Sequence, residues 1–216
     1  MKKERNNRSF WNRYARLYDF EIKKFNRAAY TEMYRLISKA LSRDARVLEI
    51  ATGTGLIALG IADHVSFVEA IDFAPRMIEA AKRKPAPPNV HFSVGDATAL
   101  TFEETSCDAV IISNALHIMQ KPGLVLANIK KVLKPDGMLI APTYSLGHIR
   151  KSTWDINARF LKLIGFETHS KWLPEEYVSF ISKNGFTVRN WKVLAAAFPL
   201  VYLEANPEQT ENSGLH

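Results

Sequence analysis

The stretch ARVLEIATGTGLIALGIADHV, residues 45–65, decides the fold of this chain. Its apolar beginning predicts a buried strand over Arg46 to Ile50, and two glycines then lead into a helical pattern over Gly55 to Asp63. Glycine lets the backbone turn tightly and approach a ligand without a Cβ in the way. The stretch is therefore typical of a ligand-binding strand–turn–helix unit.

Similar apolar runs alternate with helical patterns along the following residues. Because these runs are continuous rather than alternating, we expect both faces of the sheet to be buried, as in a parallel sheet covered by helices. Besides the first unit, strands are predicted at Phe67–Asp72, Val90–Val94, Cys107–Ser113 and Gly137–Thr143, and helices at Pro75–Lys84 and Pro122–Leu133.

The C-terminal part changes this pattern. Two helical stretches, Thr153–Ile164 and Pro174–Lys183, precede strand-like runs at Phe186–Leu194 and Pro199–Ala205. The join between these runs is too short for a parallel crossover, so it predicts an antiparallel hairpin. We expect an α/β fold with a doubly wound, seven-stranded, mostly parallel sheet over residues 43–205, after an N-terminal helical segment (1–42) and before a disordered tail (206–216).

Composition narrows the function classes. The 216 residues are 47% hydrophobic and 24% charged, which is ordinary for a globular protein. The single cysteine, Cys107, has no partner for a disulfide or a structural zinc site, so no metal is expected. No apolar run reaches the length of a membrane span, and the N-terminus lacks the apolar core of a secretory signal. We therefore predict a cytoplasmic protein.

The net charge of +7 is concentrated near the N-terminus, where residues 1–27 hold nine basic and three acidic side chains. Such a segment can face solvent, nucleic acid, an anionic membrane surface or an acidic substrate. The charge by itself selects none of these partners.

An acidic residue, Glu49, stands four positions before Gly53. The run GTGLIA also fits the dinucleotide pattern G-x-G-x-x-A, which is a weak signal alone. A carboxylate would repel a pyrophosphate and attract an ammonium or sulfonium group. The sequence therefore favours a cationic nucleoside over NAD.

The run LEIATGTG resembles the first motif of the class I S-adenosylmethionine-dependent methyltransferases, an acidic residue followed by G-x-G-x-G, with Ala51 at the first glycine. GDA, Gly95–Ala97, and KPDGMLI resemble later motifs in the same order, so the resemblance covers about residues 10 to 205. It is closest to small-molecule methyltransferases of type 11, which include quinone methyltransferases.

The resemblance implies S-adenosylmethionine as cofactor and a set of contacts to it. Asp72 would accept both ribose hydroxyls, Asp96 would accept from the adenine amine, and the Ala97 N–H would donate to the adenine ring. Asn114 would contact the methionine end. The remaining implied contacts are the loop residues Glu49, Ala51, Thr52, Gly53 and Gly55 and the apolar side chains of Phe73 and Met77.

The segment FWNRYARLYDFEIKKF predicts an amphipathic helix with Arg13 and Arg16 turned away from its apolar face. It resembles the N-terminal lid of small-molecule methyltransferases, and Tyr14 or Tyr18 would touch the methionine carboxylate. The same basic and aromatic pattern also suits a membrane surface. The apolar face comprises Phe10, Tyr14, Leu17, Tyr18 and Phe25.

Methyl transfer is an in-line displacement, so alignment supplies much of the catalysis. His117 is the best-placed candidate for a general base if the acceptor must lose a proton, and otherwise a wall of the pocket. His148 is a weaker candidate.

We predict methyl transfer to a small organic acceptor, with no nucleic-acid partner. The alternatives are a lipid or quinone methyltransferase that docks on a membrane through its N-terminal helix, and a non-enzymatic nucleoside-binding protein.

Overall fold

The computed structural model describes residues 2–147, 168–196 and 198–209. The predicted helix Thr153–Ile164 and the candidate His148 lie outside these ranges. The described helices are α1 (Lys2–Phe25), α2 (Arg27–Ala40), α3 (Leu56–Ile61), α4 (Pro75–Lys82), α5 (Pro122–Val132) and α6 (Pro174–Lys183). The described strands are β1 (Arg46–Ile50), β2 (Phe67–Asp72), β3 (Val90–Val94), β4 (Cys107–Ile112), β5 (Leu133–Ile140), β6 (Thr143–Tyr144), β7 (Phe186–Leu194) and β8 (Leu200–Pro207).

These strands form one sheet in the order β3-β2-β1-β4-β5-β8-β6, with β7 paired to β8. Strands β3 to β5 are parallel along this order, and β8 is antiparallel to β5 and to β7. The predicted mostly parallel sheet with a C-terminal hairpin is confirmed. The order reverses between β1 and β4, so the crevice beyond their carboxyl ends is where this fold binds ligands.

The predicted fifth strand is divided into β5 and β6. Both pair with β8, but Pro142 separates them and has no N–H to donate to the ladder. Its carbonyl instead accepts the Asn114 backbone N–H at 2.8 Å. This bond joins the end of β4 to the segment between β5 and β6.

The central strands are buried on both faces, as their continuous apolar runs predict. In β4, Ala109 and Ile111 belong to one core cluster, and Val110 and Ile112 belong to the cluster on the other face. Successive side chains of a strand point to opposite faces, so an apolar run supplies both cores at once.

The N-terminal segment forms two helices with different neighbours. The buried face of α2, which includes Tyr30 and Met33, joins the main core. Helix α1 instead packs over α4, where Ala15 contacts a small cluster with Ala74 and Met77. Helix α1 is therefore the part of this segment that covers the carboxyl edge of the sheet.

Polar contacts attach α1 to the body of the protein. The Asp19 carboxylate accepts from Thr54 Oγ1 at 2.5 Å and pairs with Lys84 Nζ at 2.6 Å. Asn12 Oδ1 accepts from the backbone N–H of Arg76, in the first turn of α4. Helix α1 is thus tied to the glycine turn and to α4.

Periodicity is only partly right about the apolar face of α1. Phe10 is buried and Arg13 is exposed, as predicted, but Phe25 is 59% exposed. Phe25 is the last residue of the helix, and the helix ends there beyond the surface that it covers.

Candidate functional site

The loop after β1 has three residues with positive φ, namely Ala51 (56°), Gly53 (57°) and Gly55 (78°). A Cβ on Gly53 would meet no atom closer than the Tyr18 ring at 3.9 Å, so this side of the loop is open. A Cβ on Gly55 would lie 2.6 Å from the Phe92 ring. Gly53 therefore admits a ligand, whereas Gly55 is required for packing against β3.

Ala51 adopts a left-handed conformation that costs a residue with a Cβ about 1–2 kcal/mol. Its methyl group packs partly against the core, which offsets some of this cost. We expect Ala51→Gly to raise the free energy of unfolding by about 0.5–1 kcal/mol in urea titrations. Ala58→Gly, inside α3, is the matched control and should lower it by about 1 kcal/mol. An equal loss at both positions would contradict strain at Ala51.

The sequence suggested that the Glu49 carboxylate faces the ligand at the glycine turn, but the structure does not place it there. Its side chain is beneath the loop, 2% exposed, and Oε2 accepts from Thr52 Oγ1 at 2.7 Å and from the Ala58 backbone N–H at 2.9 Å. It therefore holds the first turn of α3 against the loop. Burial raises the pKa of Glu49 to about 8, and the nearby Asp72 adds to this shift.

Asp72 ends β2 and faces the crevice, although it is only 6% exposed. Its Oδ2 accepts from the Gly53 N–H at 2.9 Å, and its Oδ1 accepts from the Ala74 N–H at 2.8 Å. Burial raises the pKa of Asp72 to about 6, against the lowering effect of these two bonds. Asp72 is thus an ionised acceptor at neutral pH, fixed to the glycine turn.

Asp96 follows β3 and is exposed at the same crevice. Its Oδ1 accepts from both the backbone N–H and the hydroxyl of Thr98, at 2.8 Å each. This Asx turn fixes the carboxylate through Oδ1. Ala97, Phe73 and Met77 complete this side of the crevice with apolar surface.

Asn114 follows β4 with a φ of 51°. Its Nδ2 lies 3.5 Å from the Tyr30 hydroxyl, whereas its Oδ1 is buried without a hydrogen-bond partner among the described residues. A buried acceptor left unpaired costs about 1–3 kcal/mol. A ligand that brings a donor to this position would remove that cost.

Tyr18 is the tyrosine of α1 that reaches the crevice. Its hydroxyl lies 3.3 Å from that of Tyr30, and burial raises the pKa of the Tyr18 phenol well above its ordinary value. Tyr14 instead stacks on Phe10, with ring centroids 5.3 Å apart. Tyr18 therefore remains a neutral hydrogen-bond donor at the site.

These side chains surround one cavity of about 560 Å³, within the range of small-molecule sites. The predicted residues that line it are Tyr18, Ala51, Gly53, Asp72, Phe73, Met77, Asp96, Ala97 and Asn114. The predicted residues absent from its lining are Tyr14, Glu49, Thr52, Gly55 and His117. Thr52 is turned toward Glu49 beneath the loop.

Several lining residues were missed from the sequence, among them Arg8, Trp11, Ser113 and Lys121. Arg8 and Trp11 lie on α1, and Lys121 precedes α5. Helical spacing places Arg8 and Trp11 on the same face of α1 as Tyr18. It does not show that this face covers the site. Arg8 and Lys121 add cationic side chains to a cavity wall that otherwise offers mainly hydrogen-bond acceptors.

His117 is not brought to the cavity. It is 4% exposed, and its Nδ1 lies 3.0 Å from Thr143 Oγ1. Burial lowers the pKa of His117 to about 4, so the ring is neutral at pH 7 and is a weak proton acceptor. The geometry favours a structural role for this side chain over the role of general base. Among the described residues, no cluster of potential ligands suits a metal ion.

Residues 47–137 match the family model described as a methyltransferase domain. This segment, which is less than half of the chain, is similar to methyltransferases. The matched segment runs from β1 into β5 and contains the glycine turn, Asp72, Asp96 and Asn114. The resemblance found in the sequence is thus confirmed.

Curated relatives that are named as methyltransferases match this chain over part of their length. The demethylmenaquinone methyltransferase of Renibacterium salmoninarum is 41% identical over 100 residues, which are 46% of this chain and 41% of that protein. That of Leptospira interrogans is 28% identical over 169 residues, or 74% of this chain and 67% of that protein. The match thus spans about two fifths of the first relative's length.

Solved structures share the fold at low identity. A Thermotoga maritima S-adenosylmethionine-dependent methyltransferase is 19% identical with a TM-score of 0.70, covering 92% of this chain and 99% of that one. The [4+2]-cyclase SpnF is 18% identical with a TM-score of 0.67, covering 83% and 81%. Because a cyclase has this fold too, the fold alone does not establish methyl transfer.

Proposed function

We propose that this chain binds S-adenosylmethionine in the cavity and transfers its methyl group to a small organic acceptor. The observation that carries the proposal is the set of acceptors that follow strands β2, β3 and β4 and line one cavity, namely Asp72, Asp96 and Asn114 Oδ1. The ribose hydroxyls, the adenine amine and the methionine ammonium of this cofactor are donors, and they match that set. A pyrophosphate offers only acceptors and would find no hydrogen-bond donor in this set of three groups.

Individual contacts follow from this match. Asp72 would hold the ribose through the lone pairs that its bonds to Gly53 and Ala74 leave free. Asn114 Oδ1 would receive the ammonium, which pairs its orphaned acceptor. The neutral Tyr18 hydroxyl would donate to the methionine carboxylate. Gly53 leaves room for this end of the cofactor.

When bound, the cofactor supplies an electrophilic methyl group on a sulfonium. The residues of this chain contribute orientation and the exclusion of water, which α1 provides by covering the crevice with Trp11 and Tyr18. We propose no protein base, because the neutral imidazole of His117 is buried against Thr143. The acceptor would meet a wall formed partly by Ile118 and Met119, beside Lys121.

The names of the curated relatives make a hydroquinone the first acceptor to test. Purified protein should bind S-adenosylmethionine and not NAD in calorimetry, and it should form S-adenosylhomocysteine with at least one acceptor, measured by mass spectrometry. Reactions without acceptor are the control. Binding of the cofactor with no product from any acceptor class would favour a non-enzymatic binding protein. Uptake of NAD instead of S-adenosylmethionine would overturn the assignment.

A further inference from the structure

Helix α1 has two faces with different chemistry. Trp11, Ala15 and Tyr18 share the face that covers the site. At about 100° per residue, Arg13, Phe20 and Lys24 lie on the opposite side. The exposure of these three residues agrees with that placement. The outer face is therefore turned away from the protein.

Two large aromatic side chains are exposed at the C-terminal end of α1. Phe20 is 62% exposed and Phe25 is 59% exposed. The Lys24 ammonium lies between them, 5.6 Å from the centroid of the Phe20 ring and 5.2 Å from that of the Phe25 ring. Phe20, Lys24 and Phe25 thus form one surface, the Phe–Lys patch, in which apolar and cationic groups are in contact.

The surroundings of the Phe–Lys patch are positively charged. Arg13 lies two turns before Phe20 on the same face, and Arg27 begins α2 beside the patch. Two acidic residues of these helices have cationic partners of their own: Asp19 pairs with Lys84, and Glu32 pairs with Arg35 and Lys192. The excess charge of the N-terminal segment is therefore not neutralised by these acids.

We propose that the Phe–Lys patch docks this protein on the surface of an anionic lipid membrane. A lipid interface places negative phosphates directly above an acyl layer, so it complements a surface that carries both cations and phenyl rings. Water complements only the cations. A phenylalanine side chain exposed to water lacks the favourable free energy that burial of its apolar surface would provide. The proposed docking is peripheral, through side chains of α1. Among the described residues, no helix is long and apolar enough to cross a membrane. This inference goes beyond methyl transfer and does not depend on it.

The test is co-sedimentation of the full chain with vesicles, without S-adenosylmethionine. Vesicles of phosphatidylcholine with phosphatidylserine are compared with phosphatidylcholine alone, at low and high salt. We expect binding to the anionic vesicles that falls with salt. Phe20→Ser with Phe25→Ser should reduce the partition coefficient at least about tenfold, and Lys24→Glu about fivefold or more, because each cation near the surface contributes roughly that factor.

Two matched controls lie away from the patch. Leu124→Ser removes an exposed apolar side chain on α5, and Arg43→Glu reverses the charge of an exposed residue just after the C-terminal end of α2. Both should bind vesicles as the unchanged chain does. Because all substituted side chains are exposed, circular dichroism should show the same fold throughout. Equal binding by the patch variants and the controls would overturn the proposal, as would no binding by the unchanged chain. A self-association that only the patch variants abolish, with vesicle binding retained, would assign the patch to a second copy instead.

Discussion

Asp72→Ala is expected to weaken S-adenosylmethionine binding by roughly 100-fold, because two charge-assisted hydrogen bonds to the ribose would be lost. The same substitution removes the acceptor for the Gly53 and Ala74 N–H groups. We therefore also expect the free energy of unfolding to fall by about 1–3 kcal/mol. Calorimetry gives the first quantity, and urea denaturation gives the second.

Asp72→Asn separates the two effects. Asparagine keeps one acceptor oxygen for the turn and loses the negative charge, so its loss of stability should be smaller than that of alanine while cofactor affinity still falls. Asp63→Ala, an exposed carboxylate outside the cavity, is the matched control and should leave both quantities unchanged. If the affinity of Asp72→Ala for the cofactor equals that of the unchanged chain, Asp72 does not hold the ribose.

Glu49→Gln is expected to change the pH dependence of stability. Burial raises the pKa of Glu49 from its ordinary 4.5 to about 8. Between these values the folded chain keeps a proton that the unfolded chain releases, so this group makes stability fall as pH rises through that window. Glutamine can accept from Thr52 and Ala58 through the oxygen that replaces Oε2, and it cannot ionise.

The stability of Glu49→Gln relative to the unchanged chain should therefore increase by on the order of 3 kcal/mol between about pH 5 and about pH 8. Urea titrations across this range measure it. Asp72 and His117 titrate in both proteins, and their contributions cancel in the comparison. Parallel curves for the two proteins would show that Glu49 has an ordinary pKa.

The same group links cofactor binding to protons. A sulfonium and an ammonium bound near Glu49 would favour its ionised form, so binding would release a proton and affinity would rise with pH. We expect the affinity of the unchanged chain for S-adenosylmethionine to increase by roughly tenfold between about pH 6.5 and about pH 8, with a flat profile for Glu49→Gln. An equal slope in both proteins would separate Glu49 from the cofactor.

Much of the site could be predicted because parallel strands end at one edge of a sheet. Asp72, Asp96 and Asn114 each follow a strand that the apolar runs identify, and the structure brings all three to one cavity. Proximity in that case follows from topology, without knowledge of any side-chain contact.

Other features depend on how separate elements pack. Glu49 is buried because α3 docks on the loop and offers the Ala58 N–H, a partner nine residues away that no local pattern reveals. His117 is held beneath the strand ends by Thr143, which β6 supplies. Helical spacing shows which residues share a face of α1, but not where the helix extends beyond the surface that it covers. The sequence therefore predicts Phe25 on the apolar face, whereas the structure exposes both Phe25 and Phe20.

The sequence by itself determined the doubly wound sheet, its antiparallel end and the cofactor-binding edge, because apolar periodicity and glycine turns act locally along the chain. Only the tertiary structure decided which carboxylates line the cavity, which histidine is neutral and which face of α1 is exposed. Those properties depend on burial and on distant hydrogen-bond partners, and both arise only when the helices and strands pack together.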